Sequence, residues 1–213
     1  MTTVNIRNEQ FQLLPERVVF HEKSRTILAA DLHWGKAEVF QRSGIAVSSR
    51  VLNEDLERLS RAIEATKAER LIILGDLIHA PKGLTEHVIA TVSEWRHRHP
   101  TLRIELIRGN HDRKLVMPEE WRIELHDQPI AEPPFLYAHE PPEEVTDLYV
   151  WSGHLHPMMR LTGRHDSLRL PCFAISQSHS VLPAFSEFTG GIDLHLNDWK
   201  KVFVIADNAV IEV

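Results

Sequence analysis

Short apolar runs of strand length recur along the chain at Thr26–Ala30, Leu71–Leu74, Arg103–Ile107, Phe135–Ala138 and Leu148–Trp151. Between the first three, the apolar positions change to helical spacing, with stripes at Leu52, Leu56, Leu59, Ile63 and at Leu84, Val88, Val92, Trp95. Such stripes are the core-facing sides of amphipathic helices. Strand–helix–strand alternation implies right-handed crossovers and a largely parallel sheet. The C-terminal third reads instead as strands with turns between them, at Met159–Thr162, Leu168–Ile175, Lys201–Ile205 and Ala209–Val213, with Asp207-Asn208 as a hairpin turn. A second sheet packed on the first follows. The expected fold is therefore α/β, two packed mixed β-sheets flanked by helices. The proline-rich stretches Pro129–Pro134 and Pro141-Pro142 are short enough to be loops. No repeat or linker interrupts the pattern, so residues 1–213 are expected to form one domain.

Composition adds limits. With 213 residues, 43% hydrophobic and 25% charged, the chain can bury a core of useful size. No run of 18 apolar residues offers a membrane span. Met1 to Gln12 is polar with no signal-like apolar segment, which points to the cytoplasm. The single Cys172 fits a reducing compartment and reads as a small core residue. A net charge of -6 argues against a broad basic face for nucleic acid. It does not exclude nucleic acid, because bound divalent metals would place positive charge where a phosphate must sit. The unusual entry in the composition is histidine, at 14 residues.

Six of those histidines fall in ordered polar clusters. Asp31-Leu32-His33 follows the first predicted strand, Gly75-Asp76-Leu77-Ile78-His79 the second, and Gly109-Asn110-His111-Asp112 the third. His139 follows the fourth and Gly153-His154-Leu155-His156 the fifth. All five clusters lie just past the C-terminal ends of strands, where open α/β sheets form their ligand crevice. Carboxylate, imidazole and amide oxygen together suit Mn, Fe, Zn or similar ions. Asp31, His33, Asp76, Asn110, His139, His154 and His156 are too many ligands for one ion and suit two ions sharing a carboxylate. The absence of thiolates, and ligands placed on loops, fit a catalytic site with open positions. Gly75, Gly109 and Gly153 are expected to turn the backbone sharply off each strand. Each motif alone is weak, since a lone histidine is usually structural, but five in order leave coincidence negligible.

The clusters resemble the calcineurin-like metallophosphoesterase superfamily, whose fold is a four-layer sandwich. The resemblance implies that one metal takes Asp31, His33, Asp76 and His156, the other Asp76, Asn110, His139 and His154, with Asp76 bridging. It implies a water or hydroxide nucleophile between the metals. By the same resemblance, His111 is expected to protonate the leaving group or stabilise the transition state. Asp112 either orients the His111 ring or caps its own loop. Many phosphatases of the superfamily carry Asp where this chain has His79. A histidine there is similar to the superfamily's double-strand-break repair nucleases, in which it assists the catalytic histidine.

Further strings resemble the bacterial ligase-associated DNA-damage-response endonucleases: Leu14-Pro15-Glu16-Arg17, Gly35-Lys36, Gly44-Ile45, Arg108, Leu170-Pro171-Cys172-Phe173, Leu182-Pro183-Ala184-Phe185 and Glu187-Phe188-Thr189-Gly190-Gly191. The C-terminal strings carry no catalytic chemistry of their own. This likeness implies a manganese-dependent phosphodiesterase or endonuclease acting on single-stranded or end-proximal DNA in repair or end processing. It also implies association with a DNA ligase, a helicase and a second nuclease. Trp34 departs from the aliphatic residue expected and is read as packing rather than as a platform for a base. Lys36, Arg42, Lys82, Arg108, Arg113 and Lys114 are candidate phosphate contacts. The histidines at 21, 87, 97, 99, 126, 165, 179 and 195 read as structural or surface, and Trp95 to Pro100 as a polar helix end. The competing reading is a phosphodiesterase or phosphatase of small nucleotides or other phosphoesters, distinguished by a narrow rim. A non-catalytic scaffold is disfavoured because every ligand and His111 are present. A structural zinc protein is disfavoured by the lack of paired cysteines.

Overall fold

The computed structural model describes residues 1–213 apart from Ser49, Val145, Arg164, His165 and Phe188. Two positions named above, His165 and Phe188, thus lie outside the described residues. The first sheet follows sequence order: β1 (Thr2–Ile6), β2 (Glu9–Leu14), β3 (Val18–His21), β4 (Thr26–Ala29), β5 (Arg70–Leu74), β6 (Arg103–Ile107) and β7 (Ile123–His126). Strands β1 to β4 run antiparallel, and β4 to β7 run parallel. Helices α1 (Lys36–Arg42) and α2 (Val51–Thr66) cross from β4 to β5, and α3 (Glu86–Arg98) crosses from β5 to β6.

The second sheet contains β8 (Ile130–Glu132), β9 (Phe135–Tyr137), β10 (Tyr149–Ser152), β11 (Pro157–Thr162), β12 (Ser167–Ile175), β13 (His179–Val181), β14 (Ile192–Asp193), β15 (Lys201–Ala206) and β16 (Ala209–Glu212). Its order is β14-β11-β12-β13-β10-β9-β8, with β15 pairing β12 and β16. Strands β9 and β10 are parallel, while β15 and β16 form the hairpin expected at Asp207-Asn208.

The expectation of a largely parallel first sheet is corrected: half of it is antiparallel. The sequence pattern missed β1, β2, β3, β7, β8, β13, β14 and α1. Four of these, β1, β7, β8 and β14, are sheet edges. Edge strands lack a neighbour on one side and carry more polar residues, so their apolar signal is diluted. In β1 only Val4 and Ile6 are buried.

Strand β4 explains why the central strands were legible. Ile27 and Ala29 face Leu56, Leu59, Ile63, Val92 and Trp95 on the helical side. Leu28 and Ala30 face the second sheet through Phe135, Trp151, Phe173 and Phe203. Burial on both faces requires a continuous apolar run. The α3 stripe begins one turn later than its periodicity suggests. Leu84 precedes the helix, and Thr85 caps it by accepting the Val88 N–H at 3.2 Å. Trp34 is packing, buried edge-on between Trp95 and Trp121 at 6.2 and 6.0 Å. No helix among the described residues is long and apolar enough to cross a membrane.

Candidate metal centre

The five clusters leave the strands at their C-terminal ends: β4 carries Asp31 and His33, β5 carries Asp76 and His79, and β6 carries Asn110 to Asp112. His139 leaves β9, and His154 and His156 leave β10. The parallel runs bring these tips together, and backbone pairing continues past the strands. Asp31 N–H donates to Gly75 O at 3.1 Å, His33 N–H to Asp76 O at 2.9 Å, and Gly153 N–H to His139 O at 3.0 Å. The two sheets are joined at the tip by the His154 N–H, which donates to Asp31 Oδ2 at 2.9 Å.

Five of the predicted ligands hold left-handed backbone: Asp31 (φ 55°), His33 (48°), Asp76 (51°), His154 (68°) and His156 (48°). For a non-glycine residue this costs about 1–2 kcal/mol, a strain found where surrounding structure fixes a functional geometry. The glycines serve two purposes where one was expected. Gly75 does turn, at φ 82°, and a Cβ there would strike the His139 ring. Gly109 and Gly153 have no positive φ. Their need is close approach, since a Cβ would meet Asp76 at the first and Ala30 and Asp31 at the second.

At these tips three groups of ligand-type atoms result among the described residues: His33, His79 and His111 form one, and the other two consist of predicted ligands. Asp31, His33 and His156 offer atoms all within 4.8 Å of one another, as do Asp76, His139 and His154. His156 Nε2 lies 3.4 Å from Asp31 Oδ1, His139 Nε2 3.7 Å from Asp76 Oδ1, and His154 Nδ1 3.1 Å from His139 Nε2. Asn110 stands exposed between Gly109, which abuts Asp76, and His111.

The donor set fits a cation. Asp31 Oδ1, His33 Nδ1 and His156 Nε2 are buried without a hydrogen-bond partner, a costly state unless something else satisfies them. Burial, then the neighbouring His156 and Lys36, push the His33 pKa down to about 2, which keeps the ring neutral as a ligand must be. Burial alone would lower His156, but Asp31, Gly190 and Asp76 together outweigh it and leave its pKa raised. Two rings are oriented from behind. His139 Nδ1 donates to Leu74 O at 2.9 Å and His156 Nδ1 to Gly190 O at 3.1 Å, which turns each Nε2 toward its ligand group.

His79 and His111 stack at 5.4 Å beside these groups, and His33 meets both edge-on. His111 Nδ1 donates to the His79 carbonyl at 2.5 Å, and His111 Nε2 lies 3.8 Å from Asp76 Oδ2. Burial, then Lys36 and His111, lower the His79 pKa to about 4. Asp112 is fully buried, and its carboxylate accepts the N–H groups of Leu77 and Ile78 at 3.2 Å and Gly109 at 3.1 Å. It therefore ties the β5 loop to the β6 loop.

Of the candidate phosphate contacts, Arg108 is committed to the carbonyls of Asp112 and Leu115 and to Asp127. Lys36 is half-buried over the Phe40 ring, while Arg42, Lys82, Arg113 and Lys114 are exposed. Sequence reasoning missed the part played by the C-terminal strings. They carry no reactive group, yet Gly190 orients His156. The Gly190 carbonyl gave no sequence signal, because any residue supplies one. A further group, Glu105, Glu124 and His126, is faced by Arg70 and Arg103 and is an ion-pair network.

No protein-family model and no curated protein matches the chain. Among solved structures it is similar to Pseudomonas putida nuclease MPE, with a TM-score of 0.87 and 36% identity, covering 100% of this chain and 99% of that one. The E. coli phosphoesterase Yfce matches at TM-score 0.46 and 18% identity over 88% of this chain and 97% of its own. An Aquifex aeolicus protein of unknown function, AQ665, matches at 0.42 and 16% over 66% and 81%. Those two are too distant to bear on function. The full-length likeness at 36% identity places the chain in the metallophosphoesterase nuclease family. It is thus a hydrolase of phosphoesters, with clusters suited to divalent metal.

Proposed function

We propose that residues 1–213 are a single metallophosphoesterase domain that hydrolyses DNA phosphodiester bonds, with manganese, in repair or end processing. The observation that carries this reading is the pairing of two ligand groups at one sheet edge, in a chain similar over its whole length to a nuclease. Asp31, His33 and His156 would hold one ion and Asp76, His139 and His154 the other, with Asp76 shared and Asn110 completing the second. Two divalent ions bound there supply Lewis-acid charge to the phosphate and an activated water for in-line displacement.

The chain's own residues supply proton transfer and alignment. With its Nδ1–H on the His79 carbonyl, the His111 ring has Nε2 left to hold the proton that a general acid would transfer. That proton passes to the leaving oxygen as the P–O bond breaks, help worth about 10²–10⁴-fold. His79 stacks on the ring and fixes its plane. Asp112 positions the loop from which His111 projects. The exposed Arg42, Lys82, Arg113 and Lys114 would guide a flexible, single-stranded or end-proximal backbone. A DNA ligase, a helicase and a second nuclease are the partners this role calls for.

The test is cleavage of a labelled single-stranded oligonucleotide with Mn²⁺, with bis-p-nitrophenyl phosphate and p-nitrophenyl phosphate in parallel. Diester and DNA cleavage should disappear in Asp76→Ala and His111→Ala. Monoester turnover with intact DNA would overturn the nuclease reading and leave the metal site standing.

A further inference from the structure

The described stretches 185–187 and 190–193 touch Asp31 and His156 respectively. At one end the Phe185 N–H donates to Ala30 O at 2.8 Å and the Ser186 N–H to Asp31 O at 3.3 Å. At the other, Gly190 O accepts the His156 ring, and the Ile192 N–H donates to His156 O at 3.2 Å. A Cβ on Gly191 would strike the His156 carbonyl, so the backbone at Gly191 passes directly against that residue.

One buried side chain holds the near end. The Arg58 guanidinium, from α2 and only 9% exposed, donates to Phe185 O at 2.6 Å, Asp55 Oδ1 at 2.7 Å and Glu187 Oε1 at 2.7 Å. It also lies 4.3 Å over the Phe185 ring. Arg17 adds a bond to Ser186 O at 3.1 Å. A planar fork is what allows one side chain to reach three acceptors and stack at once.

We infer that Arg58 is a positioning residue: through Phe185 and Ser186, which bond Ala30 and Asp31, it sets the affinity of the Asp31–His33–His156 group for its ion, and not that of the Asp76–His139–His154 group. This rests on the ligand reading proposed above. Groups that orient a ligand from behind change metal affinity by about 10–100-fold when removed.

The experiment titrates Mn²⁺ into the full-length protein by calorimetry and by electron paramagnetic resonance of free Mn²⁺, for wild type, Arg58→Met and Arg58→Lys. Wild type should take up two ions. Arg58→Met should bind one of them about 10–100-fold more weakly, and diester cleavage should return to the wild-type kcat at raised Mn²⁺. In a His156→Ala background, which lacks that ion, Arg58→Met should change the remaining affinity no further. Unchanged binding of both ions, equal weakening of both, or a kcat that excess Mn²⁺ does not restore would overturn the assignment. Should Arg58→Met fail to fold, Arg58→Lys decides: it keeps the charge but loses the fork, and wild-type affinity in it would overturn the proposal. A wild-type protein that binds no Mn²⁺ would instead defeat the ligand reading beneath it.

Discussion

Replacing Asp112 by Asn separates two tasks that a carboxylate next to His111 can perform. In the folded chain both oxygens are taken by backbone: Oδ2 accepts from Leu77 and Gly109, Oδ1 from Ile78. Asparagine retains one oxygen. Placed at the Oδ2 position it keeps two bonds, each falling from a charge-assisted to a neutral one, a loss of about 1 kcal/mol apiece. The amide nitrogen then faces the Ile78 N–H, leaving a buried donor unpaired at about 1–3 kcal/mol. Against this, the variant removes a charge that burial disfavours, since burial raises the Asp112 pKa despite those backbone bonds. The net cost is about 2 kcal/mol. For a chain of this length that is a fall in Tm of about 4–8 °C. The assay is thermal unfolding of Asp112→Asn beside His111→Ala, with diester cleavage measured well below either Tm. The expected result is a destabilised Asp112→Asn that keeps more activity than His111→Ala. An unchanged Tm with activity as low as His111→Ala would refute the argument and return Asp112 to the task of orienting the ring.

Other predictions follow from single features. Gly75→Ala places a methyl against the His139 ring at a left-handed position. Mn²⁺ titration should show at least a tenfold loss at the Asp76 group with the Asp31 group intact; equal binding at both would count against the close-packing argument. Burial pushes the Cys172 thiol up to about 12. The native protein should therefore ignore a thiol reagent at pH 8 and react only when unfolded, and rapid native labelling would be the contrary result. Burial holds His21, His33, His99 and His179 below the ordinary histidine pKa. The unfolded chain takes up protons below about pH 6.5 that these folded residues refuse. Their contribution is complete above that pH and is lost on acidification, by up to about 1.4 kcal/mol per pH unit for buried His33. Asp55, pushed up to about 7 by burial, and His156, also raised, act in the opposite direction, but the lowered histidines, His79 among them, outnumber them. The Tm of metal-free protein should therefore fall from pH 7 to pH 5, and a flat profile would dismiss the sign.

Much of the candidate site was legible because its residues are chemically unusual and sit next to strong signals. Asp31, Asp76, Asn110, His139 and His154 each follow a strand buried on both faces or covered by the second sheet, and such strands announce themselves as apolar runs. Order along the chain then implied convergence at one edge. The helical stripes of α2 and α3 were legible for the same reason. Edge strands such as β1 and β14 were not, because only two residues of β1 and neither of β14 are buried, so the apolar pattern is too short to stand out. What tertiary structure alone decided is of another kind. That Gly109 and Gly153 are required by the approach of Asp76 and Asp31, and not by a backbone angle, depends on which loops become neighbours. That Asp112 binds amides of the β5 loop depends on 34–35 residues of intervening chain returning it there. The link from Arg58 to the Phe185 carbonyl joins positions 127 residues apart, and the bond of Gly190 to His156 likewise passes through a carbonyl. Side-chain chemistry is written in the sequence, but a carbonyl is the same at every residue, and only the fold decides which one a histidine meets.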